Sequence, residues 1–239
     1  MSKMKKKLTL VLALAIIVAI AIGGTYAYLT DVADVTNTFS VEKLDIDLVE
    51  PNWDDDVDGD DLIPGDTLVK DPTLIADVET DSYVRIIMTI TDNSGGANQG
   101  KVITDADRLA LILKTIYYDS TYDVDKAVPA TTTNIVEGKK YSLAQLASYP
   151  RVNPLFTKVS EVDGKLVYNY SKIYGGDEEI VFFTNAVVPT DWNAAEVDLL
   201  GKYTINLKAE AIQAANFANA TEAFAALDVE LAPTATPAP

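Results

Sequence analysis

The 239-residue chain contains no cysteine and no histidine. Without thiols there can be no disulfide and no thiolate chemistry. Without imidazole there is no Ser-His-Asp or Cys-His catalytic set, no histidine zinc site and no histidine pH switch. The zinc-peptidase signature His-Glu-x-x-His cannot be written in this chain. Cations are scarce as well, with 19 Lys plus Arg against 36 Asp plus Glu and a formal charge of -17. Such a surface repels nucleic-acid phosphate and anionic lipid, which excludes nucleic acid as a partner. Paired carboxylates could serve glycoside hydrolysis, but with this many acids pairs arise by chance. What is plentiful is apolar side chain: 48% of residues are hydrophobic, enough for a substantial core.

The few cations are unevenly placed. Lys3, Lys5, Lys6 and Lys7 open the chain, and an apolar run follows over residues 8–22, broken only by Thr9. That run is short for a membrane span, which needs about 20 residues. Gly23-Gly24 and the small-residue pattern Thr25-x-Ala27 come next. Basic start, apolar middle and small-residue end are the three parts of a secretory signal peptide. We expect residues 1–27 to be that leader, cut between Ala27 and Tyr28, with an uncleaved signal anchor as the alternative. Cleavage would leave about 15 basic against 36 acidic side chains, a charge of about -21.

From residue 35 the pattern turns to period two. Val35, Phe39 and Val41 share one parity; Leu44, Ile46 and Leu48 share the other, so a bulge or turn is expected at Glu42-Lys43. Pro64-Gly65-Asp66 reads as a turn. Residues 67–75 read as extended, with a break or edge at Pro72. Residues 83–91 are the clearest strand, with Val84, Ile86, Met88 and Ile90 on one face. Thr104 and Asp107 suggest a capping box for a helix ending at Leu113. Residues 116–122 suggest a strand. Ser142 caps a second short helix, and Asp163-Gly164 turns a hairpin with a return strand over 166–173. The apolar stretch 180–188 suits one central strand, and 189–201 a Trp-bearing loop with a helical turn. Tyr203, Ile205, Leu207, Ala209 and Ala211 alternate with polar residues in a last strand with one wet face. Thr221 opens a short helix fading by Leu227. Residues 232–239, all Pro, Ala and Thr, suit a disordered tail. Eight or nine strands with two or three short helices predict a mainly β chain, an antiparallel sandwich with insertions, in one domain over residues 28–231.

One local motif points to a metal. Asp54, Asp56 and Asp58 followed by Gly59 match the opening of a calcium loop, with Asp60 placed to offer its carbonyl. The twelfth position is Gly65, where a bidentate Glu belongs, and flanking helices are absent. The competing reading is a solvated acidic loop. The tyrosines Tyr117, Tyr118, Tyr122, Tyr141, Tyr149, Tyr168, Tyr170 and Tyr174 could form a sugar-binding face, but aromatic residues on strands more often pack against one another. Trp53 and Trp192 read as loop anchors.

The stretches Gly24-Thr25-Tyr26-Ala27-Tyr28-Leu29-Thr30-Asp31, Asn37-Thr38-Phe39 and Leu44-Asp45-Ile46-Asp47-Leu48 resemble the N-terminus of the TasA and camelysin (CalY) family. Leu62-Ile63-Pro64-Gly65-Asp66-Thr67-Leu68-Val69-Lys70-Asp71-Pro72 resembles that family's second block. The resemblance implies a jelly-roll-like β-sandwich and removal of residues 1–27 by a SipW-type signal peptidase. It implies a secreted subunit of an extracellular biofilm matrix fibre at or beyond the cell surface. Its partner is then another copy of itself, and membrane contact comes only through the uncleaved signal peptide. In the family an N-terminal segment adds as a strand to its neighbour; here that is residues 28–41, with Val35, Asn37, Phe39 and Val41 in the assembly strand. No cofactor is required on this reading, and calcium is the one candidate ion. The rival from another class is a monomeric surface adhesion or carbohydrate-binding module. A camelysin-like metallopeptidase, also implied by the resemblance, lacks residues for catalysis.

Overall fold

A computed structural model of the chain describes residues 45–52, 62–77, 80–122, 135–175 and 178–231. Ten strands and four α-helices fall in these residues. The organising strand is β4 (Ser82–Asp92), as the alternation predicts. Val84, Ile86, Met88 and Ile90 are fully buried on one face. Their β-branched and unbranched apolar side chains suit a pleated surface packed against a second layer. On one side β4 pairs along its whole length with β10 (Tyr203–Gln213), Tyr203 opposite Asp92 and Gln213 opposite Ser82. On the other side it pairs with β7 (Lys165–Tyr170), which in turn pairs with β6 (Phe156–Val162). All three ladders are antiparallel, giving a four-stranded sheet in the order β10-β4-β7-β6. The β6–β7 hairpin turns at Asp163 and Gly164, both with positive φ, which is the geometry of a two-residue turn matched to strand twist.

The second layer is a bent ribbon. Strand β2 (Thr67–Val69) pairs with β9 (Asn185–Val187), and β3 (Thr73–Asp77) pairs with β8 (Ile180–Val181). Between them the backbone stays in step: Lys70 N–H donates to the Thr184 carbonyl at 3.0 Å, and Phe182 N–H to the Pro72 carbonyl at 2.8 Å. Outer partners are β1 (Asp45–Val49) on β3 and β5 (Ile116–Tyr117) on β9. The predicted break at Pro72 is therefore present. The single central strand expected over 180–188 is not: the segment divides at residues 182–184, opposite the proline. Pro72 has no N–H, so the ladder cannot close there, and both chains bend together. Phe182 and Phe183 are nonetheless fully buried, as that apolar run suggests.

The two layers face each other across one core. Phe182 meets Phe156 edge-on at 5.0 Å and Tyr168 at 5.2 Å between ring centroids. Around them lie Leu74, Ile86, Met88, Leu166 and Ile180. The expected mainly β, antiparallel sandwich with short helices in its loops is what the chain forms.

Helix α1 (Ala106–Leu113) is capped by Asp105, whose side chain accepts the Arg108 N–H at 2.8 Å. This corrects the Thr104 capping box: Asp105 does the capping, and Asp107 lies in the first turn, where the helix dipole favours an acid. Strand β5 is only two residues long, not the expected 116–122. Asp119 ends it by folding its carboxylate back onto the Thr121 N–H at 2.9 Å. Helix α2 (Leu143–Leu146) has the predicted Ser142 cap, completed by Gln145. Residues 194–200 form a full helix α3 (Ala194–Leu200), capped by Asn193 and Glu196. Helix α4 (Ala220–Glu230) starts one residue before the predicted Thr221 and runs past Leu227. It lies on the outer face of the β10-β4-β7-β6 sheet. There Arg85 binds Glu210 and Asp228, and its guanidinium stacks over the Phe224 ring at 4.6 Å. Among the described residues no helix is long and apolar enough to cross a membrane.

Candidate functional site

Among the described residues the longest unpaired strand edge of the sandwich is the outer edge of β10. Asn93 N–H donates to the Lys202 carbonyl at 2.9 Å, which fixes the phase of the β4–β10 ladder. In an antiparallel pair, alternate residues bond across the ladder. With Lys202 facing β4, the even residues of β10 also face β4. Tyr203, Ile205, Leu207, Ala209 and Ala211 then turn their N–H and C=O groups outward. Among the described residues nothing pairs with that edge. The same five residues point their side chains toward the core, yet each is only partly buried. An incoming strand could satisfy the backbone groups and cover these side chains in one step.

Strand β1 lies beside β10. The stretch containing Val35, Asn37, Phe39 and Val41 ends a few residues before β1. Those residues, and the cleavage pair Ala27 and Tyr28, lie outside the described residues. So do Trp53 and the calcium candidates Asp54, Asp56, Asp58 and Asp60. The supports of the acidic loop are described, however. On its N-terminal side, Asn52 donates its backbone N–H and its amide to the fully buried Asp71 at 3.2 and 2.8 Å. Tyr122 donates its hydroxyl to the same carboxylate at 2.6 Å. Burial and this acidic neighbour push the Tyr122 phenol well above its ordinary range. On the C-terminal side, Pro64 and Gly65 make the predicted turn. Gly65 has φ 103, and Asp66 N–H donates back to the Ile63 carbonyl at 3.0 Å. The loop thus springs from two rigid posts.

The tyrosines do not form a platform. Tyr117, Tyr141, Tyr168, Tyr170 and Tyr174 are buried, and Tyr170 packs against Phe156 at 5.3 Å. Burial pushes the Tyr168 phenol up to about 12. Trp192 is buried in the main core cluster, as a loop anchor should be.

Sequence reasoning missed the Arg85 cluster. Burial alone would raise the Glu210 carboxyl, but hydrogen bonds from Lys208 and Arg85 overrule it and hold it below the usual range. The bond from Arg85 likewise lowers the Asp228 carboxyl. The only sequence signal was one cation inside a strand whose other charge is the terminal Asp92.

Residues 3–104 match the family described as camelysin metallo-endopeptidase. No curated protein and no solved structure matches the chain. The peptidase part of that description does not fit the residues present. Zinc peptidases draw on histidine, which the chain lacks altogether. Among the described residues no three acidic side chains gather as a metal site would require. The matched stretch begins in the basic N-terminal segment and continues through β1 to β4 and just beyond, and over those residues the chain is similar to that family.

Proposed function

We propose that the chain is an exported subunit of an extracellular matrix fibre, joined to the next copy by strand addition. Residues 1–27 direct export and are removed by a SipW-type signal peptidase after Ala27. The freed segment 28–41 then pairs with the outer edge of β10 on a neighbouring copy. The observation that carries this reading is that edge: 11 residues long, with outward backbone groups on the same residues whose core-facing side chains are incompletely covered. The period-two pattern of Val35, Phe39 and Val41 supplies side chains of the right spacing to cover them. The acidic loop around Asp54, Asp56, Asp58 and Asp60 adds a calcium site that tightens fibres at millimolar calcium.

The experiment places a specific protease site between Ala27 and Tyr28 of the full chain. Negative-stain micrographs are then recorded before and after cutting, with and without calcium. Fibres should appear only after the cut. Ala209→Pro should abolish them and leave the domain folded, because proline there removes an outward N–H and spares the β4 ladder. Deletion of residues 28–34 should do the same. Fibres unchanged by both alterations would overturn the reading. Monomers after cutting would favour a surface-binding module, and cleavage of casein by the pure chain a peptidase.

A further inference from the structure

The outer face of the β4-β7-β6 sheet carries a trough of about 390 Å3 beside the first turn of α4. The ladder registers lay its floor. Asn169 of β7 stands between Arg85 of β4 and Thr157 of β6. Tyr83 and Ser171 continue the floor, and Ala220 and Thr221 of α4 form the roof. Lys172 sits on the rim.

Asn169 is the informative residue. It is 9% exposed, and its Oδ1 has no hydrogen-bond partner. Rotating the amide would only exchange an unpaired acceptor for an unpaired donor. A buried amide without a partner is a net cost to the fold, which a ligand can remove. The roof points the same way. Asn219 caps the Glu222 N–H at 3.0 Å, and the N–H groups of Ala220 and Thr221 are the remaining free donors of the first turn. Lys172 is the only charged residue that lines the space; Arg85, opposite Asn169 in the ladder, and Glu222, next to Thr221, adjoin it. Arg85 is held by Glu210 and Asp228. The Glu222 carboxylate is turned back on the Ala218 N–H at 3.1 Å. Lys172 is exposed at the rim and is the one cation there without an acidic partner among the described residues.

The trough therefore offers an amide, the hydroxyls of Thr157, Ser171 and Thr221, two helix N–H groups and one cation, beside a tyrosine ring. Donors of this number and kind suit a ring with several hydroxyls and one carboxylate. We infer that the trough binds a uronic-acid unit of an acidic polysaccharide. Ring hydroxyls meet Asn169 at the floor, and the carboxylate lies between Lys172 and the N–H groups of Ala220 and Thr221. No residue of the β10 edge takes part, so the uncut monomer binds as well, and the inference does not depend on fibre formation.

The test is calorimetric titration of the full chain with tri-galacturonate and with maltotriose. Tri-galacturonate should bind saturably and about tenfold more tightly than the neutral trimer. Asn169→Leu should weaken it about tenfold, the worth of one good hydrogen bond, and should melt at the same temperature or higher because no native partner is lost. Lys172→Gln, on the exposed rim, should shrink the preference for the acidic trimer without touching stability. Absence of saturable heat with tri-galacturonate overturns the inference. So does equal binding of the two trimers, or an Asn169→Leu variant that binds like the parent.

Discussion

Replacing Arg85 by methionine isolates what holds α4 to the sheet. The guanidinium is 7% exposed and ties β4 to two other elements, β10 and α4. Its Nε lies 2.7 Å from Glu210 on β10, and Nη1 and Nη2 lie 3.1 and 2.5 Å from the Asp228 oxygens on α4. The three contacts are not worth the same. Asp228 is 59% exposed, so screening limits its share to about 1 kcal/mol or less. Glu210 is only 10% exposed, and stripping a partner from a buried charge costs roughly 3–5 kcal/mol. Lys208, 2.7 Å away, remains to pair with Glu210, which pulls the figure to the low end. Methionine keeps much of the stacking over Phe224. The expected loss is about 3 kcal/mol, or roughly 6–12 °C in melting temperature for a domain of this size. Thermal melts by circular dichroism measure the total, and hydrogen exchange on α4 shows where it falls. Asp228→Asn serves as the mild comparison, with a loss under about 1 kcal/mol. An Arg85→Met protein that melts with the parent, or that loses no more than Asp228→Asn, would refute the reasoning.

Acid should release the same clamp. Glu210, Asp228 and Asp92 all have carboxyls held below their usual range, Asp92 mainly by its hydrogen bond from Arg108. The unfolded chain takes up protons first on lowering the pH. Their contribution is therefore complete above about pH 5 and is lost as pH falls through the depressed values. Urea midpoints from pH 7 downward should drop more steeply for the parent than for Arg85→Met. Gly164→Ala should be costly, because φ is 75 and the new Cβ would stand 2.3 Å from the Ile103 carbonyl oxygen. A loss of about 3 kcal/mol is expected in chemical denaturation. Gly138→Ala has φ 72 and open space around it, so it should cost only about 1 kcal/mol, the strain of the left-handed backbone alone.

What could be read from the sequence was what neighbours in sequence decide. The alternation of β4 and β10, the Pro64-Gly65 turn, the Ser142 cap and the Asp163-Gly164 hairpin all rest on residues within a few positions. The splitting of residues 180–188 depends on Pro72, more than a hundred positions away, and nothing in the apolar run itself signals it. The one-residue error at α1 arose because Thr104 and Asp105 are both good caps, and the fold decides between them. The β10 edge was visible as a strand but not as an edge, since edge status is a statement about missing neighbours. Asn169 was invisible for the same reason: within β7 it alternates like any surface residue, and only the roof formed by α4 buries it.

The bent ribbon has a consequence for timing. Thr67 must find Val187, and Leu74 must find Ile180, so neither half of that layer can close until the chain has been delivered to about residue 180, and the β2 half waits until about 187. The other layer waits longer still, because β4 acquires one flank only when β10 arrives at residues 203–213. Pairings this distant in sequence make for slow folding. On the export route proposed above, a chain threaded outward from its N-terminus would stay open through most of its passage and become a sandwich, with an edge to offer, only once nearly all of it had crossed.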